Sequence, residues 1–308
     1  NSVASTNETI LSLAHTDAFE YALTDAGEVY SFTTAADTDY ISAAAIVGGV
    51  AIAICQNRLF VLCQDTTSGV VVRTWAVDST AGLPFAAVDQ LAAVTVTSAH
   101  MTPDTNIRQQ MCSSPTGARF FVNYSDVTSK VYEVDSSGSS LVSHELADLG
   151  HGVKATAIAY EGGITFITGQ FVAESDQTAR SALWIIDQNG VLQRIGFFRY
   201  DAPSSSAPTF ITPYQTNLFI LQGPYVWRYS LTTGGLFLEY QLQPQDATAG
   251  RGLAVLQGRT IALYGGATTS EAWTTGSVST YRQGGVSGAN QFTSSDYDFG
   301  LPGFKKSL

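Results

Sequence analysis

Apolar residues along this chain come in short runs of about five, many alternating with small or polar residues, and each run ends at a turn signal. Residues 51–55 (Ala-Ile-Ala-Ile-Cys) turn at Asn57 into 59–63 (Leu-Phe-Val-Leu-Cys), and 156–160 turn at Gly162-Gly163 into 164–167. The same design recurs where 210–214 turn at Thr216-Asn217 into 218–221, and where 252–256 turn at Gly258 into 260–264. Near the start, 10–14 pass through Thr16-Asp17 into 19–23; a weaker copy joins 108–111 to 120–122 through Pro115-Thr116-Gly117. Short β-prone runs joined by Gly, Asn and Thr turns predict β-hairpins. No stretch of about ten or more residues carries the 3.6-residue apolar period of an amphipathic helix.

Downstream of each hairpin stands an aromatic residue, then any residue, then usually an apolar one before a polar turn. The six copies begin at Tyr30, Trp75, Tyr132, Trp184, Tyr229 and, in degraded form, Tyr281. The steps between them are 45, 57, 52, 45 and 52 residues. A period near 50 across the chain marks a repeat architecture. After the aromatic signature a turn such as Asp187-Gln188-Asn189-Gly190 leads into a further strand, here 191–198. The unit therefore reads strand A, turn, strand B, loop, strand C, turn, strand D. The expected fold is all-β: a β-propeller over residues 1–290, with the repeats beginning near residue 7, in six four-stranded blades. Seven blades are the alternative if the 57-residue step hides a degenerate copy, and a strand from one terminus is expected to complete the other terminal blade.

A repeated position needs a repeated physical role. The signature aromatics are expected to pack between neighbouring blades rather than to stack on sugars. The Asp residues that follow at 78, 135 and 187 are expected to open the C–D turn, their short acceptor side chains bonding the backbone ahead.

Composition narrows the picture. The 308 residues are 44% hydrophobic but 13% charged, so the polar surface is mostly Ser, Thr, Gln and Asn, as turn-rich β structure requires. A net charge of −11 repels phosphate backbones and argues against nucleic acid as a partner. The longest apolar run, 41–55, is broken by Gly48-Gly49 and is too short to span a bilayer, so no membrane insertion is expected. The chain opens without the basic and apolar regions of a signal peptide, and Asn1 in place of an initiator Met suggests a trimmed or excised chain. Cys55, Cys63 and Cys112 are expected to remain free thiols, as suits a reducing cytosol. In the expected hairpin register Cys55 faces Phe60 and Cys63 faces Ile52, so those two do not meet.

Chemical motifs do not emerge. The four histidines, His15, His100, His144 and His151, lack metal-ligand spacing, and there is no phosphate-cradling Gly-rich loop, nucleophile elbow or calcium loop. The Ser-x-Asp-x-Gly-x-Thr-Trp boxes of sialidase propellers and the Trp-Asp mark of WD repeats are missing too. The expectation is a non-enzymatic protein with no catalytic residues, cofactor or metal site, although propellers can assemble an active site from single residues on several blades.

Binding is expected on the face where B–C and D–A loops emerge. The B–C loops read as short in the first, third and fifth units and longer in the second (64–70), fourth (169–181) and sixth (265–277). Long loops on a rigid scaffold carry function. Phe171 and Trp273 stand out as apolar residues in these polar segments, and Phe197, Phe198 and Tyr200 gather near a D–A crossing. Phe171, Tyr200 and Trp273 are the candidate partner contacts; otherwise these loops fold back over the blade ends.

From Gly284 the repeat dissolves, and the chain closes on Ser294-Ser295-Asp296-Tyr297-Asp298-Phe299-Gly300-Leu301-Pro302-Gly303-Phe304-Lys305-Lys306-Ser307-Leu308. This resembles a segment of bacteriophage tail proteins in which a β-rich or propeller region exits through a Ser-x-Tyr/Phe-Asp-Phe/Leu-Gly-Leu-Pro-Gly-x-x-Lys run. The match covers roughly 15 residues; Gly300 and Pro302-Gly303 also read plainly as a turn between extended segments. The resemblance implies a tail, tail-tip or fibre domain made in the bacterial cytoplasm and carried in the virion. Residues 291–308 would lead to a further domain, and the partners would be other tail proteins or a host surface glycan or receptor. The alternative is a secreted microbial propeller that binds or cleaves carbohydrate.

Overall fold

A computed structural model describes residues 10–16, 19–32, 40–41, 46, 48–65, 67–77, 90–101, 104, 107–136, 139–171, 180–199, 209–223, 225–241, 250–256, 259–265, 269–274, 277–282, 291–297 and 305–306. The chain divides into two compact units, residues 1–198 and 199–308.

The first unit holds four antiparallel sheets, each of four consecutive strands. They are β1 (Ile10–His15), β2 (Glu20–Thr24), β3 (Val29–Phe32) and β4 (Tyr40–Ile41); then β5 (Gly49–Cys55), β6 (Arg58–Asp65), β7 (Gly69–Ala76) and β8 (Gln90–Thr97). The third sheet is β9 (Met111–Ser113), β10 (Ala118–Asn123), β11 (Thr128–Asp135) and β12 (Val142–His151), and the fourth is β13 (Val153–Glu161), β14 (Ile164–Phe171), β15 (Arg180–Ile186) and β16 (Leu192–Arg199).

The β6 strand shows why the runs in these blades lack polar gaps. Leu59, Val61 and Cys63 join Tyr21, Leu23 and Val29 of the first blade in one core cluster. Phe60 and Leu62, pointing the other way, join Phe120, Val122 and Tyr132 of the third blade in another. Both faces are buried, so the strand reads as continuous apolar sequence. Each buried side chain of this size contributes about 1.5–3 kcal/mol.

Five of the six signature aromatics sit on the third strand of their blade, at Tyr30, Trp75, Tyr132, Trp184 and, in the second unit, Tyr229. Trp75 packs in the cluster shared with the first blade, Tyr132 in that shared with the second, and Trp184 against Phe121 and Val131 of the third. Packing between blades accounts for their recurrence. The Asp187 carboxylate accepts bonds from the amides of Asn189 (2.9 Å) and Val191 (2.8 Å), opening the C–D turn as expected; Asp135 ends β11 beside His144, and Asp78 lies outside the described residues.

The second unit holds β17 (Thr209–Tyr214), β18 (Asn217–Gln222), β19 (Tyr225–Ser230) and β20 (Leu236–Gln241) in one sheet. A second sheet contains β21 (Gly250–Leu256), β22 (Arg259–Gly265), β23 (Thr269–Thr274), β24 (Ser277–Arg282), β25 (Gln291–Tyr297) and β26 (Lys305–Lys306) in sequence order. Beyond Glu239 the description is of backbone, apart from Leu253.

Several expectations need correction. Six or seven four-stranded blades are not found: among the described residues there are five, and the last sheet has six strands because residues 291–297 pair with β24 and 305–306 pair with β25. Among the described residues each sheet uses only consecutive strands, so no terminal strand completes a distant blade. The sixth signature was misplaced, since Tyr281 lies on the fourth strand, β24, and the aromatic of the third is Trp273. The copy at 273 carries Thr where the pattern wants an apolar residue, which hid it. The hairpin at Cys55 is two residues tighter than expected: Cys55 opposes Arg58 and Cys63 opposes Gly49. Gln56 and Asn57 both take positive φ, 52° and 56°, as a two-residue turn of this twist demands. Cys55 and Cys63 project into different core clusters, and none of the three cysteines is disulfide-bonded.

Candidate functional site

The described surface of the first unit carries an open groove of about 800 Å³ between the second and third blades. One wall is the outer strand of the second blade, Val94 to Thr97 of β8. The other comes from the third blade: Tyr124, Asp126 and Thr128 around the β10–β11 turn, Lys130 and Tyr132 on β11, and Leu141, Val142, Ser143 and Glu145 at β12. The groove thus reaches the end of the third blade where its B–C turn emerges, and strands rather than long loops build it.

Local irregularities shape both walls. The β7–β8 ladder slips between Val72 and Thr74 and again between Val70 and Val71. In an unbroken strand Leu91 and Val94 would face opposite sides; the first slip turns both toward the core, where with Val96 they pack on the interblade cluster. Thr95, Ala92 and Ala93 are left exposed. Across the groove, Val127 takes a positive φ of 62°, and the Asp126 carboxylate accepts a bond from the Thr128 amide at 3.1 Å. That turn brings the Tyr124 hydroxyl 2.7 Å from the Tyr132 hydroxyl.

The electrostatics are local and acidic. Lys130 Nζ lies 3.0 Å from the Glu145 carboxylate and 3.8 Å from Asp148. The Glu145 hydrogen bond, with both carboxylates adding attraction, raises the lysine above its usual range, so it stays protonated. Burial, then the bond to Tyr124, pushes the Tyr132 phenol well above the ordinary tyrosine value. Neither the Tyr132 phenol nor the Lys130 ammonium is therefore poised for proton transfer near neutral pH.

A second polar cluster lies at the opposite ends of the same strands. Arg119 pairs with Glu133, whose carboxylate also accepts from Thr116 (3.0 Å) and Ser114 (3.3 Å). The guanidinium bonds Thr165 and sits 4.9 Å from the Tyr160 ring centre, tying the third blade to the fourth. This is a structural clasp: each member is satisfied by a neighbour. Among the described residues no group of three or more His, Cys, Asp and Glu is placed to hold a metal ion, and no helix is long and apolar enough to cross a membrane.

The sequence-derived contacts fall at different places in the fold. Phe171 is not a loop residue but ends β14, half-buried, with its ring 5.8 Å from Trp184 and 5.7 Å from Phe197. Phe197 is 51% exposed and carries the Arg194 guanidinium at 4.4 Å, while Phe198 is buried. Trp273 lies in strand β23, opposite Ala262 and Val278, because the supposed 265–277 loop contains that strand. The second B–C connection is also short, spanning 66–68 between β6 and β7; the fourth, 172–179, falls outside the described residues, as does Tyr200. Neither Phe171 nor Phe197 lines the groove. The signals that mark it in the sequence are the uncharged β-branched run Val94-Thr95-Val96-Thr97 and the tyrosine eight residues before Tyr132.

No family model and no curated protein matches the chain. Among solved structures, Saccharomyces cerevisiae Sqt1 is similar at 8% identity, covering 94% of this chain and 85% of that one, with a TM-score of 0.51. The WD40 β-propeller domain of Doa1 is similar at 13% identity over 88% of this chain and 80% of that chain, with a TM-score of 0.50. The fold is that of a β-propeller, reached here without the Trp-Asp dipeptides of WD repeats.

Proposed function

We propose that this β-propeller is a non-enzymatic interaction domain of a bacteriophage virion, part of a tail, tail tip or fibre, that docks another virion protein or the host surface. The observation that carries the docking reading is the groove between β8 and β11–β12, an open, half-polar surface on a rigid sheet scaffold. Lys130 pairs with Glu145 and Tyr124 with Tyr132, which suits recognition better than proton chemistry. The virion location rests on the segment from Ser294 to Lys305, whose Phe-Gly-Leu-Pro-Gly core resembles the exit run of phage tail proteins. Phe171, Tyr200 and Trp273 remain proposed partner contacts, with the Phe171–Phe197 ring pair as the exposed apolar feature of the fourth blade.

A carbohydrate-binding propeller is the second reading, favoured by the hydroxyls of Thr95, Thr97, Thr128 and Ser143 along the groove. Against it, Tyr132 is buried, so its ring is not an open stacking platform. Immunogold labelling of purified phage particles with antibody to this domain tests the proposal. Gold on the tail is the expected result; antigen confined to the particle-free supernatant overturns it.

A further inference from the structure

The β8 strand ends its sheet, whose order is β5-β6-β7-β8, so its second edge meets no strand of that sheet. Natural proteins blunt such edges with charge, proline, bulges or brevity, and of these β8 has only bulges. The other outer strands conform: β12 carries His144, Glu145 and Asp148, β16 carries Arg194 and Arg199, β20 carries Glu239, β4 has two residues, and the six-stranded sheet ends on Lys305-Lys306. In contrast, β8 reads Gln90-Leu91-Ala92-Ala93-Val94-Thr95-Val96-Thr97, eight residues without a charge or a proline. Its exposed side chains, Ala92, Ala93 and Thr95, are small enough to let another backbone approach. Two ladder slips bend the strand, yet its last four residues form a wall of the groove.

We propose that the groove takes an extended, neutral or basic segment of a partner protein, which adds to β8 as a fifth strand of the second blade. Main-chain bonds to this edge, which pairs with no strand among the described residues, supply the attachment, and the alternate side chains of the segment meet the third-blade wall. The charge on that wall selects the occupant: Glu145 and Asp148 flank the ammonium of Lys130, and the Asp126 carboxylate lines the same groove, in a chain of net charge −11. An acidic segment would be repelled, and a basic side chain finds carboxylates at hand. The four residues Val94 to Thr97 offer roughly 13 Å of edge, matching a short strand rather than a folded domain. This deepens the reading of the chain as an interaction domain and rests on it, but not on its location in a virion.

The test uses the full chain and a fluorescent, end-capped heptapeptide Thr-Val-Thr-Val-Lys-Val-Thr followed by anisotropy. Its controls are the same peptide N-methylated at alternate amides and chitohexaose as the glycan probe. Two variants at an exposed position, Thr95→Lys and Thr95→Glu, put opposite charges on the edge. The peptide should bind, the N-methylated form at least tenfold more weakly. Both variants should lose at least tenfold in affinity with an unchanged melting temperature, the Glu variant in spite of its attraction for the lysine of the probe. Failure of the peptide to bind folded protein, equal binding of the methylated form, or indifference to both variants overturns the proposal. So does capture of chitohexaose in place of the peptide, or a β8-dependent dimer seen by sedimentation. Tail labelling by antibody is unaffected by any of these results, so strand addition and virion location fail separately.

Discussion

The carboxamide of Asn123 pairs with the backbone of Ala155 in the next blade as a neighbouring strand would. Its Nδ2 donates to the Ala155 carbonyl at 2.9 Å, and the Ala155 amide donates to its Oδ1 at 3.0 Å. The Ser129 hydroxyl stands 2.7 Å from the Val153 carbonyl oxygen, so the third and fourth blades are joined by a buried polar clasp as well as by apolar packing. Replacing Asn123 with Ala strands the buried Ala155 carbonyl and leaves the Ala155 amide only the Ser129 hydroxyl, at 3.1 Å, and should cost about 1–3 kcal/mol. Asn123→Asp should cost more, because it sets a buried carboxylate against the Ala155 carbonyl. Urea denaturation of the three proteins checks both the size and the order.

The Arg119–Glu133 pair is only 15% and 11% exposed at its side chains. Glu133→Ala leaves the guanidinium buried without its carboxylate and should lower stability by about 3 kcal/mol. The double change Arg119→Met with Glu133→Leu should recover most of that loss, since apolar groups of similar size need no compensation. A double-mutant cycle by denaturant unfolding measures the coupling.

Alkaline pH should unfold the protein through its buried acids. Burial raises the Tyr21 phenol to about 12 and, with the Glu133 charge adding, the Cys55 thiol to about 12. In the unfolded chain these groups ionise near 10 and 8.5. The unfolded state therefore releases protons first, and stability falls as pH rises from about 8.5 toward 12. Denaturation midpoints between pH 7 and 11 should decline accordingly. Cys55→Ser should be less sensitive than the parent between pH 9 and 11.

Gly69 holds the turn that starts β7 at a φ of 79°, and a Cβ there would lie 2.3 Å from the Thr97 carbonyl oxygen. Gly69→Ala should cost about 2 kcal/mol or more, adding left-handed strain to a backbone clash. The loss should appear first as faster amide exchange in β8, the strand that walls the groove.

The repeat was legible because each blade must bury the same positions. Trp75, Tyr132, Trp184 and Tyr229 recur since every third strand presents a large side chain to the interior. Where packing stops dictating sequence, legibility ends. Trp273 was read as a loop residue because Thr275 replaces the apolar partner of its signature, while Tyr281 copied the spacing by accident. The strands at 291–297 and 305–306 lie beyond the repeat and follow no internal template. The groove was hidden for another reason: Tyr124 meets Tyr132, and Asn123 meets Ala155, only through turn geometry and blade adjacency, neither of which leaves a period in the chain.

An electron cryo-microscopy map of the native particle tests the central claim most directly. The account predicts a propeller-shaped module on the phage tail with an extended segment of a neighbouring protein running along β8. A module in the tail whose β8 edge faces bare solvent would contradict strand addition. Particles without such a module, beside a free soluble protein, would contradict the virion assignment itself.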